Sequence, residues 1–349
     1  MRHAEAVARY NKVSILHIIT DNLSEKKTEI NYQNINNVKT YIAYIKRTKN
    51  PIFKGILFLK AFRTILKQIG GFDIVHVNRL YPLGIFAVYL KTVKKKPYII
   101  SEHWTGYHAP LNRKIGFGEY LISKLIVQKS SCVCPVSNDL RDAMISFGLL
   151  GNYKTIPNIV DCKVFKPHKQ KNEIFTIIHV SNMKDTQKNI SGILNAVKEF
   201  SLVTGNFKLL LIGEGSEKYK KKVNQLKIHN KVQFFEHISH KDVASKMSKA
   251  HVFILFSNYE NLPCVILESF SCGTPVISTN VGGISEYFPK NFGFLIDKNN
   301  KLALKNALIE IYKTSFINTN EMHNYALKHF GKKNIAFKFQ SLYEKIINE

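Results

Sequence analysis

Short apolar runs alternate with longer segments of helical period along most of the chain, the pattern of α/β units built around parallel sheets. Residues 13–19, 74–77, 98–101 and 132–136 read as the strands of a first unit. A polar, basic, proline-containing stretch over 157–171 reads as a linker. A second set of strands follows at 176–180, 208–212, 232–235, 252–255 and 275–278. The last helical stretch, 334–347, is long enough to return toward the first unit. The pattern predicts a first domain over 1–160, a second over 161–333 and a C-terminal helix over 334–349. Parallel units bind ligands at the carboxyl ends of their strands, so the cleft between the two domains is the expected site. The opening is unusual, because residues 2–9 read as the tail of a helix and the first strand comes only at Val13. An ordinary nucleotide-binding α/β domain opens with a strand and a turn, and neither is read ahead of that helix.

Composition changes this picture in three ways. A length of 349 residues suits two domains of roughly 150 residues each. Fifty-one basic against 25 acidic side chains leave a formal charge of +26, which points to an anionic partner: a membrane surface, a nucleic acid or a phosphorylated substrate. The abundance of Asn and Ile beside Lys fits a coding bias equally. No nucleic-acid motif and no aromatic–basic stacking array is found, so a nucleic-acid partner is not expected. The five cysteines (Cys132, Cys134, Cys162, Cys264 and Cys272) have neither metal-type spacing nor an even disulfide framework, which implies a reducing compartment. No apolar run approaches the roughly 18 residues of a membrane span, and no leader peptide is read, so the expectation is cytoplasmic. The segment 51–71 qualifies it. It carries Phe53, Ile56, Leu57, Phe58, Leu59, Phe62, Ile65 and Leu66, with Lys60, Arg63 and Lys67 on one helical face. Such a helix either packs on a sheet with a solvated basic face or docks on the anionic inner leaflet of the plasma membrane.

The informative segment is Ser257-Asn-Tyr-Glu-Asn-Leu-Pro-Cys-Val-Ile-Leu-Glu-Ser-Phe-Ser-Cys-Gly-Thr-Pro-Val-Ile. A buried strand ends before Ser257, a polar loop follows, and a helix is expected near Pro263 with Asn261 as its N-cap. Glu260 then stands at the mouth of the helix and Glu268 one to two turns inside, both directed at the cleft. Two glutamates eight residues apart say little alone. With Cys-Gly-Thr-Pro-Val at 272–276 and Asn-Val-Gly-Gly-Ile-Ser-Glu at 280–286, the segment resembles glycosyltransferase family 4. Further matches run over nearly the whole chain. They are Ser-Glu-His-Trp-Thr-Gly-Tyr at 101–107, Pro-Val-Ser-Asn at 135–138, Leu-Ile-Gly-Glu-Gly at 211–215, and the linker signature with Asn158, Asp161 and Phe165.

The resemblance implies a retaining enzyme of the α/β, GT-B kind, with two Rossmann-like domains facing a central cleft. Its substrates would be a UDP- or GDP-sugar donor and a glycan or lipid-linked acceptor. Glu260 would hydrogen-bond the transferred sugar, and Glu268 with its acceptor-only carboxylate would hold the ribose hydroxyls. Asn261, Leu262 and Gly213 would lie along the donor, and His103 would contact the ligand from the first domain. The Gly282–Gly283 turn would let backbone approach the donor, and a helix starting there would favour an anion. Val-Ser-Asn-Met-Lys-Asp-Thr-Gln-Lys-Asn at 180–189 resembles the phosphate-binding stretch, with Lys188 at the family's Lys. Its usual Arg is replaced by Asn182 with Lys184 nearby, so charge neutralisation falls on Lys188 and Lys184 as point charges without Arg's fork. No nucleophile and no metal-binding carboxylate cluster is read, and neither metal nor other cofactor is expected. The family's opening strand and Gly-rich turn are not read ahead of the first helix, and the expectation is a first domain without them. Rival readings are a sugar-nucleotide epimerase or phosphorylase of the same architecture, an inactive truncated relative serving as a binding partner, and, on charge alone, a nucleic-acid binder.

Overall fold

The apolar runs become strands because their β-branched and aromatic residues fill both faces of buried sheets, and the amphipathic segments between them cover those faces. A computed structural model describes residues 2–21, 28–108, 115–314 and 318–349. The first domain contains α1 (Arg2–Val7), β1 (Val13–Asp21), β2 (Thr28–Ile35), β3 (Val38–Lys46), α2 (Pro51–Ile69), β4 (Val75–Asn78), α3 (Gly84–Lys94), β5 (Tyr98–Glu102), α4 (Phe117–Lys129), β6 (Cys132–Pro135) and α5 (Asn138–Ser146). Its strands form two three-stranded sheets, β1-β3-β2 and β4-β5-β6. All pairings are parallel except β2 with β3. The hairpin of β2 and β3 adds two strands to those read from the apolar runs. Its turn is Asn36–Asn37, both at positive φ (50° and 64°), as a two-residue hairpin of matching twist requires. No described strand pairs with both β1 and β4, whereas a doubly wound sheet of order 3-2-1-4-5-6 carries its first strand at that junction.

The second domain contains β7 (Phe175–Val180), α6 (Asp185–Lys188), α7 (Ile190–Phe200), β8 (Phe207–Ile212), α8 (Lys220–Gln225), β9 (Val232–Phe235), α9 (His240–Lys249), β10 (Val252–Leu255), α10 (Cys264–Ser271), β11 (Val276–Thr279), β12 (Gly293–Ile296), α11 (Lys301–Lys313) and α12 (Thr319–Phe330). Its six strands are all parallel, in the order β12-β11-β10-β7-β8-β9. That is the doubly wound order, so its switch point, where crossovers diverge and open a crevice, lies between β7 and β10. Helix α7 illustrates how sequence enforces this. The Asn189 side chain caps it by accepting from the Gly192 N–H (3.1 Å), and Ile190, Ile193, Leu194, Val197 and Phe200 form one buried face. The last helix, α13 (Lys332–Asn348), leaves this domain and packs on α1, burying Ile335, Phe339, Leu342 and Ile346 in a cluster with Ile99, Cys132 and Cys134 of the first. Another cluster runs across both domains, from Tyr98 and Val133 to Phe253 and Leu267.

Candidate functional site

The loops after β7 and β10 flank the switch point, and each delivers one charged group to it. Lys188 ends the short helix α6, and Glu260 lies in the loop before α10; both are buried. The Lys188 ammonium donates to Glu260 Oε1, which also accepts from Ser257 Oγ at 2.7 Å. The two loops are tied by backbone: the Asn258 N–H donates to the Gln187 carbonyl (2.7 Å) and its side chain to Thr186 (3.0 Å). Beneath the first loop, buried His179 bonds the Ile254 carbonyl (2.8 Å) and Ser181 Oγ (2.7 Å), and burial holds its pKa down to about 4. A neutral imidazole therefore braces the floor of a cationic loop without adding charge. Lys184 and Asn182 stand exposed on that loop, where the Asn182 side chain accepts from the Lys184 N–H (3.3 Å).

Glu268 sits on the buried face of α10, and its Oε1 pairs with the Arg2 guanidinium of α1 at 2.7 Å. The two glutamates thus receive separate cations, one from each domain. Arg2 carried no expectation from the sequence, since nothing in a lone basic residue marks a partner more than 260 positions away. Cys264 lies near enough to feel the charges of Glu268, Arg2 and Glu260; burial first, then those carboxylates, raise its thiol to about 11.

Asn261 is not the N-cap expected of it. The residue preceding α10 is Pro263, and Asn261 reaches into the first domain: its Nδ2 donates to the His103 carbonyl (2.6 Å), and its Oδ1 lies 2.8 Å from His108 Nε2. Leu262 is buried, and its carbonyl accepts from Asn158 of the linker (2.7 Å). The 282–287 segment is a 3-10 stretch rather than an α-helix start, and the Gly283 N–H donates to the Asn261 carbonyl (3.0 Å). The Glu286 carboxylate accepts from the Asn138 and Asp139 N–H groups (2.8 and 2.7 Å), capping α5 from across the cleft. The glycines are needed for close approach within the protein. A Cβ on Gly213 would meet the Ser181 carbonyl at 1.7 Å, one on Gly282 the Glu260 carbonyl at 2.1 Å, and one on Gly283 Ser137 of the first domain at 2.2 Å.

His103 follows β5 with an exposed edge, yet the protein around it desolvates the ring and holds its pKa below the ordinary value. It neighbours His3, ring centroids 5.5 Å apart, while half-buried His76 bonds Tyr343 Oη (2.6 Å) and Ser101 Oγ (2.7 Å). Glu102, also unassigned from the sequence, orders this loop. Its buried carboxylate accepts from the N–H groups of His103 (2.8 Å), Trp104 (2.9 Å) and Leu80 (2.9 Å). The motif Ser-Glu-His-Trp carried that signal, but a buried acid satisfied by backbone becomes visible only in three dimensions. Among the described residues, no three His, Cys, Asp or Glu side chains are grouped to hold a metal ion.

Comparison with known proteins adds to this geometry. Residues 163–329 match the sequence model of "Glycosyl transferases group 1", and residues 6–164 that of "Glycosyltransferase Family 4". An uncharacterized glycosyltransferase of Methanocaldococcus jannaschii is 26% identical over 95% of this chain and 91% of its own. Among solved structures, sucrose-phosphate synthase from Thermosynechococcus elongatus superposes with a TM-score of 0.81 at 20% identity, covering 99% of this chain and 92% of the other. Anabaena HepE in complex with UDP-glucose superposes with a TM-score of 0.70 at 18% identity, covering 86% of each chain.

Proposed function

The chain belongs to the group 1 glycosyltransferases, with a family 4 first domain and the GT-B fold, and on that premise we propose that it moves a sugar from a nucleotide-sugar to a glycan or lipid-linked acceptor with retention at the anomeric carbon. The observation that carries this reading is the buried Lys188–Glu260 pair at the switch point of the second domain, with Glu268 on the helix that follows. In our reading, carried by the resemblance of the motifs, the transferred sugar lies at Glu260, the ribose at Glu268 and the diphosphate at Lys188. UDP is favoured as the nucleotide by the fold shared with a UDP-glucose complex.

In this reading the donor takes over interactions the protein makes with itself. The ribose hydroxyls donate to Glu268, whose Oε1 is held by Arg2. The diphosphate draws the Lys188 ammonium, and Glu260 is left to accept from hydroxyls of the sugar. The bond from the anomeric carbon to the phosphate oxygen breaks while the acceptor hydroxyl attacks from the same face. Its proton passes to the departing phosphate. No protein nucleophile takes part: orientation and positive potential at the leaving diphosphate lower the barrier. His103 meets the ligand from the first domain, and the step needs no metal.

Calorimetric titration with UDP- and GDP-sugars tests the donor site. Saturable binding by this chain, weakened about tenfold or more by Glu268→Ala through loss of charge-assisted hydrogen bonds, supports it. Binding untouched by both Glu268→Ala and Lys188→Ala rejects it. Once an acceptor is found, the anomeric configuration of the product by NMR tests retention, and turnover that stops with chelator refutes metal independence.

A further inference from the structure

Helices α2, α3 and α4 lie side by side on one flank of the first domain. Phe62 of α2 stacks on Phe86 of α3 at 4.5 Å between centroids, and Lys91 of α3 donates to the Lys129 carbonyl at the end of α4 (2.8 Å). Alternate residues of β5 separate the two sides of the sheet: Tyr98 and Ile100 pack toward α3 and α4, Ile99 toward α1 and α13. Each of the three helices buries one apolar face and turns a second apolar stripe outward. On α2 the inner face is Leu57, Ala61 and Ile65, and the outer stripe is Ile52, Ile56 and Leu59. On α3 the outer stripe is Ile85, Tyr89 and Val93, and on α4 it is Phe117, Leu121 and Leu125. All recur every three or four residues, so each forms a line on its helix. Ile52 and Phe117 are 75% and 77% exposed. Packing on the sheet accounts for the inner faces and leaves the outer stripes unexplained.

The charge on the same helices identifies what covers them. They carry eight basic residues, among them Lys60, Arg63 and Lys67, and one acid, Glu119. A second copy would bring the same cations against these, and both chains carry +26. We infer that the α2–α3–α4 flank lies in the interface of an anionic lipid bilayer, its three stripes inserted among the acyl chains and its lysines and arginine at the headgroups. Long cationic stems permit this arrangement, since the methylenes cover apolar surface while the charge stays in the polar layer. No described helix is long and apolar enough to cross a membrane, so the attachment is peripheral. The inference deepens the lipid-linked reading of the acceptor and rests on it for its purpose: a first domain docked by this flank works on an acceptor held in the same bilayer.

Co-sedimentation of the full chain with vesicles tests it, comparing phosphatidylcholine alone with an equal mixture of phosphatidylcholine and phosphatidylglycerol. The chain is expected to bind the mixture, not the neutral lipid, and to be released by salt. Two variants at exposed positions, Ile52→Asp/Ile56→Asp/Phe117→Asp and Lys60→Glu/Arg63→Glu, are each expected to lower partitioning about tenfold or more. Equal binding to neutral vesicles, no binding to the mixture, or full binding by either variant overturns the inference. So does a dimer in sedimentation analysis that the triple substitution dissolves, because the stripes then meet a second copy. Donor titration on the same variants separates this surface from the donor site: unchanged nucleotide-sugar affinity with lost vesicle binding assigns the loss to the flank alone.

Discussion

At the scale of single residues, the site is a set of buried charges each held by one opposite partner. Lys188 and Glu260 have side chains only 11% and 7% exposed, so removing one leaves the other uncompensated. Lys188→Met is expected to cost about 3–5 kcal/mol of stability, whereas Lys188→Met/Glu260→Gln recovers most of it, because a neutral pair of similar volume needs no counter-charge. Denaturant melts read the stabilities, and both variants should lack turnover. A double variant that regains activity would mean that the pair is only structural. Gly213 makes a separate point. Its φ of 144° and the Ser181 carbonyl beside it leave no room for a side chain. Gly213→Ala should therefore displace the Ser181–Lys188 loop and weaken donor binding more than stability. Equal losses in calorimetry and melting would deny the loop that role.

Elements decide which of these residues meet. The end of β5, the start of α1, strand β4 and helix α13 converge so that His3, His76 and His103 adjoin at a partly buried corner with Phe339 and Tyr343. Desolvation holds both His3 and His76 near a pKa of about 3, against 6.5 for a free imidazole. Between those values the unfolded chain binds protons that the folded one refuses. Stability therefore falls as pH drops from about 6.5 toward 3, by about 1.4 kcal/mol per pH unit for each group. Thermal melts across that range should show the slope, and His3→Gln, with no proton to gain, should remove its share and roughly halve what the pair contributes; an unchanged slope would free His3 of the effect. Strands and motif-bearing loops of this kind were legible along the chain because apolar runs and glycine turns are local signals. The β2–β3 hairpin carried local signals in Asn36–Asn37 and in the Tyr41–Ile45 run of β3, but β2 is largely polar and gives no apolar run. Asn261 deceived for a related reason: a good N-cap residue beside a helix start has an alternative use when another domain offers a carbonyl within 2.6 Å.

For the whole molecule, the contacts across the cleft matter most. Glu286 caps α5, Arg2 pairs with Glu268, Asn261 bonds the His103 carbonyl, and Gly283 touches Ser137. Together they hold the two domains face to face over the candidate donor site. Glu286→Ala removes two charge-assisted bonds and is expected to loosen this arrangement. Small-angle scattering should register a larger radius of gyration, and the donor affinity should fall several-fold with little change in the melting temperature of the chain. An unaltered radius would show that the remaining contacts suffice.

The pattern of apolar runs determined two α/β domains, because a strand or helix buries a face that its own residues specify. The glutamate pair with Gly-Thr-Pro-Val pointed to the family, because such motifs are contiguous and survive without knowledge of the fold. Tertiary structure alone decided which cation each carboxylate meets: Lys188 comes to Glu260 and Arg2 to Glu268 only after three crossovers and a domain contact are made. It also decided that α2, α3 and α4 lie on one flank with their outer stripes exposed. Amphipathic periodicity reveals that a helix has an apolar face, but two such faces on one helix read as uniform hydrophobicity until the sheet has claimed one of them.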